Sequence, residues 1–86
     1  LAFNDINPTR KIHVLIIPKE HYASFDVTPP KIMSDMTEFI QKVASKLEVK
    51  ESGYRLITNI GEHGGQEVHH LHFHLIGGEP VGRLVR

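Results

Sequence analysis

The sequence predicts a small α+β domain: an antiparallel sheet, about five strands in the intact fold, with one main helix packed on it. Three observations carry this expectation. Runs rich in Ile, Val and Leu at residues 11–17, 54–60 and 69–76 read as strands. One stripe of apolar residues at three- and four-residue spacing reads as an amphipathic helix. Short turns of Gly, Pro and Asn separate these segments, and a single helix among strands joined by short turns favours an antiparallel sheet with the helix on one face. At 86 residues the chain has the size of one domain, with no room for a second.

Residues 1–9 carry Asn4, Asp5, Asn7 and Pro8, turn-forming types that do not sustain a central strand. Residues 11–17 are apolar on both faces in their second half, which predicts a central strand, ended by Pro18. A polar connection at 19–27 holds Tyr22 and Phe25, both expected to pack. Thr28-Pro29-Pro30 is a helix-start signature, with Thr28 as the cap and Pro29 in the first turn. The helix then spans 29–48. Met33, Met36, Phe39, Ile40, Val43, Ala44 and Leu47 face the core, and Asp35, Glu38, Gln41, Lys42 and Lys46 face water. Gly53 ends the connection after the helix. The second strand leads into a tight loop at Gly61, Gly64 and Gly65, and Gly77-Gly78 closes the third.

Composition excludes several classes. Ten Lys+Arg balance ten Asp+Glu, so the chain lacks the positive surplus of a duplex-binding module, and no nucleic-acid partner is expected. With no cysteine there is no disulfide framework, thiolate nucleophile or thiolate metal site. The longest aliphatic run, Val14-Leu15-Ile16-Ile17, is far short of the ~20 residues of a membrane span, so no membrane partner is expected. A cytoplasmic location is the expectation.

Seven histidines remain, four of them within residues 69–74. On a strand, side chains alternate faces, so His70, His72 and His74 share one face and Leu71, Phe73 and Leu75 the other. The apolar trio can bury against the helix while three imidazoles line up opposite, with Cα spacings of ~6.6–7 Å. Such a row supports three chemistries: ligation of a zinc ion, nucleophilic attack on phosphorus by a neutral imidazole, or binding of an anion. Gly64-Gly65 lets backbone approach a ligand, and successive N–H groups in such a turn can form an anion nest, which favours phosphate over a bare metal. Zinc stays open, with Glu62, Glu67 and Glu79 as further ligands. His21 and His63 fall in loops and read as solvated, and His69 is out of phase with the row.

His70-Leu71-His72-Phe73-His74-Leu75-Ile76 resembles the His-x-His-x-His-x-x signature of the histidine triad (HIT) superfamily, with hydrophobic x positions. Gly64-Gly65-Gln66 before it and Gly77-Gly78 after it resemble the Hint branch, the nucleoside phosphoramidases. Phe3-Asn4-Asp5-Ile6-Asn7-Pro8, the block from His13 to His21, and Gly53-Tyr54-Arg55 with Asn59-Ile60-Gly61 are similar to further signatures of that branch. The resemblance implies hydrolysis of a nucleoside 5′-phosphoramidate, purine preferred, through a nucleotidyl-histidine, with no cofactor. It implies that His72 is the nucleophile, that His74 contacts the phosphate and assists the leaving group, and that His70 and His13 support them. It places Asn59 on the phosphate side with the Gly65-Gln66-Glu67 segment, Asp5 on the ribose hydroxyls, and Phe3 and Ile6 along the base and sugar pocket. The expected partner is a purine mononucleotide or nucleoside phosphoramidate, and the expected assembly a homodimer with the helix and a sheet edge at the interface.

Two departures stand out. Glu67 occupies a position where the branch often has Ser or Thr, and a carboxylate there repels a phosphate unless it turns away. The family's N-terminal hairpin and short helix are not seen before Phe3, so the chain is expected to be a HIT-like domain without them.

Overall fold

A computed structural model describes residues 1–5 and 11–82. Its elements are β1 (Ala2–Asn4), β2 (Ile12–Ile16), a 3-10 turn (Phe25–Val27), α1 (Pro30–Lys46), β3 (Arg55–Ile57) and β4 (Phe73–Gly77). The strands form an antiparallel sheet in the order β1-β2-β4-β3. The runs with the most continuous aliphatic character, β2 and β4, are the central pair. The α+β expectation holds, with four strands among the described residues.

Alternation decides which side chains meet the helix. Val14 and Ile16 of β2 and Phe73 and Leu75 of β4 turn toward α1 and bury with Met36, Ile40, Ala44, Val49 and Leu71. The next set along the same strands, His13, Leu15, His74 and Ile76, therefore faces away from α1. The apolar trio Leu71, Phe73 and Leu75 is buried as its alternation predicts.

Several boundaries move, each for a local reason. Thr28 does not cap α1: its hydroxyl donates to the Ser24 carbonyl (2.7 Å) and closes the 3-10 turn, so the helix starts one residue later with Pro30 in its first turn. The helix stops at Lys46, not 48, because Glu48 takes a left-handed conformation (φ 61°) and Val49 N–H donates back to the Ala44 carbonyl (3.1 Å). Phe39 and Phe25, both expected to pack, are exposed, whereas Tyr22 packs against the core.

Strand β3 is three residues long rather than seven, since beyond Ile57 the Thr58 side chain replaces the ladder by donating to the His72 carbonyl (2.8 Å). Strand β4 begins at Phe73 rather than at residue 69. The chain before it pairs with the 21–22 loop, where Leu71 N–H donates to the Tyr22 carbonyl. Of the three row histidines only His74 lies within a strand.

Candidate active site

The sheet face turned away from α1 floors a cavity of about 570 Å³. His70, His72 and His74 all reach it, so the three imidazoles share one site although they do not share one strand. Asn59, Gly65, Glu67 and Val68 border it from the loop, and Phe3, Leu15 and Ile17 give it an apolar wall beside Asp5.

Register brings the polar groups together. Asp5 N–H donates to the His13 carbonyl (2.9 Å), extending the β1–β2 ladder and bringing the Asp5 carboxylate beside Nε2 of the His13 ring. His13 lies diagonal to His74 across β2 and β4, a spacing that long side chains bridge. Nε2 of His13 sits 2.8 Å from Nδ1 of His74 and 3.2 Å from Oδ2 of Asp5. His13 is the buried polar side chain of the core region, 6% exposed.

These contacts select proton positions. A carbonyl oxygen can only accept, so His72 Nδ1, 2.8 Å from the His70 carbonyl, carries a proton. In the neutral ring the lone pair is then on Nε2. A carboxylate likewise only accepts, so the Nε2 of His13 beside Asp5 carries a proton and donates to Nδ1 of His74. The proton of a neutral His74 is thereby on Nε2. Burial lowers the His74 pKa below the ordinary histidine value; repulsion from His72 and His13 adds to this, and Asp5 opposes it. The rings of His72 and His74 lie 5.1 Å apart, edge to face.

Residues 1–81 match the HIT domain family. The chain belongs to the HIT family. It is 51% identical over 79 residues to an uncharacterised HIT-like protein of Helicobacter pylori, covering 92% of this chain and 76% of the relative. It is 41% identical over 87 residues to the purine nucleoside phosphoramidase of Escherichia coli K12, covering 98% and 73%. A HIT family hydrolase from Clostridium thermocellum superposes with a TM-score of 0.89 at 46% identity, covering 99% of this chain and 76% of that one.

Within this HIT domain the structure gathers most of the residues singled out from sequence: Phe3, Asp5, Asn59, Gly65, Glu67, His70, His72 and His74 line the cavity, and His13 stands behind His74. Ile6 lies outside the described residues. Gln66 does not line the cavity. Its side chain accepts from Gly61 N–H (3.0 Å) and donates to the carbonyls of Ala23 (2.6 Å) and Val68 (3.0 Å), which ties the loop together.

The glycine pair also acts differently from the expected anion nest. The N–H groups of Gly65 and Gln66 donate to the carbonyls of Glu62 and Gly61 within the loop (both 3.0 Å). Gly64 is required by crowding, because a Cβ there would lie 2.1 Å from the Ile60 carbonyl oxygen. Asn59 holds the same turn, its amide donating to the Gly64 carbonyl (2.7 Å).

Two features escaped the sequence reading. His21, expected to be solvated, has its Nδ1 2.9 Å from Nδ1 of His70, so one ring donates to the other. Nothing in its loop position signals this. Leu15 and Ile17 form the cavity wall. Their signal was present, since β2 is apolar on both faces and one of those faces meets no helix.

Proposed function

We propose that this HIT domain is a nucleotide-binding hydrolase that cleaves nucleoside 5′-phosphoramidates, purine preferred, through a nucleotidyl-histidine intermediate. The observation that carries the reading is the proton arrangement of two adjacent rings. His72 has its Nδ1 held by a carbonyl, which leaves Nε2 as the nucleophile, and His74 has its Nδ1 held by His13, which leaves a proton on Nε2. The 41% identity to an enzyme named purine nucleoside phosphoramidase supports the same chemistry.

In this reading Nε2 of His72 attacks the α-phosphorus and the P–N bond to the leaving amine breaks. Nε2 of His74 gives its proton to that amine while the Asp5–His13 pair passes a proton to Nδ1, so His74 stays a neutral ring. A water molecule then attacks the phosphorus of the nucleotidyl-His72, its proton passes to Nε2 of His74 as the Nδ1 proton returns to His13, and the mononucleotide leaves with the rings restored. His70 supplies the carbonyl that orients His72. Asn59 stands on the phosphate side, and Phe3 and Leu15 offer a flat apolar surface to the base. Asp5, a carboxylate on the cavity lining, accepts a ribose hydroxyl in this reading. Glu67 belongs to the cavity rim, where its charge weakens phosphate binding.

The same reading takes the protein as a cytoplasmic homodimer joined partly along β3, whose Leu56 is 42% exposed. Among the described residues, no helix is long and apolar enough to cross a membrane.

The test is turnover of a fluorogenic adenosine 5′-phosphoramidate by the full chain. Wild type releases amine and AMP, and His72→Ala is expected to lose on the order of 10⁴-fold or more in kcat/KM. Turnover that persists in His72→Ala refutes the nucleophile assignment, and a wild type that binds AMP without turnover leaves a nucleotide-binding protein instead.

A further inference from the structure

The donor atoms of Asp5, His13 and His74 all lie within 4.8 Å of one another. Two of the three separations are 2.8 Å, from His13 Nε2 to His74 Nδ1, and 3.2 Å, from His13 Nε2 to Asp5 Oδ2. A tetrahedral zinc ion with bonds of about 2.0–2.2 Å to nitrogen and oxygen sets its ligand atoms about 3.3 Å apart. Two of the three edges therefore stand near those of a zinc site before any ion enters, and the third is no longer than 4.8 Å. A divalent cation between them would be bound by one lone pair from each of the three groups.

The geometry points to a divalent-cation site at Asp5, His13 and His74, with zinc as the ion that suits two imidazoles and one carboxylate and with the fourth position open to the cavity. The row His70, His72 and His74, the zinc candidate in the sequence, is less suited. Among the described residues Asp5, His13 and His74 bring one donor atom each within 4.8 Å of the others, and the three histidines of the row do not. Ligands from β2, from β4 and from the residue that follows β1 would also link three segments through one ion.

The consequence for catalysis rests on the proposed hydrolase reading. An ion on Nδ1 of His74 occupies the lone pair that receives the proton from His13, so the ring can no longer release and regain its Nε2 proton through that relay. Zinc binding then arrests turnover, and chelation restores it. The site is a metal-operated off switch rather than a catalytic centre.

The test titrates the full chain with Zn²⁺ by calorimetry, and with Co²⁺ by visible absorption, in the absence of any nucleotide. One ion per chain is expected, with Asp5→Asn and His74→Gln each weakening binding by more than about tenfold and His70→Ala leaving it unchanged. Histidine ring NMR of the unsubstituted chain gives a readout that needs no variant. Zinc should shift the His13 and His74 rings ahead of the His70 and His72 rings. Absence of binding, binding that survives Asp5→Asn and His74→Gln, or first shifts at His70 and His72 each overturn the site. Addition of one equivalent of Zn²⁺ to the phosphoramidate assay should abolish turnover, with recovery on chelation; undiminished turnover with the ion bound overturns the switch. A chain that binds zinc but never turns over substrate contradicts the hydrolase reading and leaves the metal site standing.

Discussion

Each histidine of the cavity is defined by what its second nitrogen touches. A carbonyl fixes His72, a ring backed by a carboxylate fixes His74, and another imidazole meets His70. Three identical side chains thus become chemically distinct. Glu67 is the residue at odds with this arrangement, an exposed carboxylate on the rim of a cavity read as a phosphate site. Two charges about 4 Å apart in water interact by about 1 kcal/mol, which corresponds to roughly fivefold in binding. Glu67→Ser is therefore expected to lower KM for a phosphoramidate by up to about fivefold at low salt, with kcat little changed and the gain shrinking as ionic strength rises. Michaelis–Menten curves at two salt concentrations check this, and an unaltered KM would mean that the carboxylate turns away from the phosphate.

Among the elements, α1 shows how local chemistry sets a boundary against sequence expectation. Pro30 suits the first turn because its missing N–H has no partner to lose there. At the other end Glu48 occupies the left-handed position that glycine fills at most helix ends, and it adds a negative charge at the negative end of the helix dipole. Adopting that conformation costs a residue with a Cβ about 1–2 kcal/mol, of which glycine's greater unfolded-state freedom returns part. Glu48→Gly should stabilise the fold by about 0.5–1 kcal/mol, read as a higher denaturant midpoint at constant slope. A lower midpoint would mean that the Glu48 side chain contributes contacts that outweigh the strain.

For the whole molecule, the functional face and the folding equilibrium are linked through His74. Its pKa is depressed in the folded chain, first by burial, so between that lowered value and the ordinary value of about 6.5 the unfolded chain binds the extra proton. Stability from this group is complete above about pH 6.5 and declines as the pH falls through the folded value. Thermal melts from about pH 7.5 down to about pH 5 should show a falling midpoint, with a shallower fall in His74→Gln. Equal slopes for the two proteins would assign the acid sensitivity to other groups.

The sequence alone determined the class of fold, the central place of β2, the burial of Leu71, Phe73 and Leu75 and the grouping of three imidazoles, because these follow from alternation and from apolar spacing along one stretch of chain. Family motifs added Asp5, His13 and Asn59 to that group from distant segments. Tertiary structure decided what each ring nitrogen faces. It turned His21 from a loop residue into the partner of His70, it used Gln66 and the Gly64-Gly65 backbone to close a loop, and it set Asp5 on His13. A periodic pattern reports the face a side chain occupies. Which lone pair meets which proton depends on ångström-scale contacts between segments up to 61 residues apart, and those exist only once the strands have chosen their register.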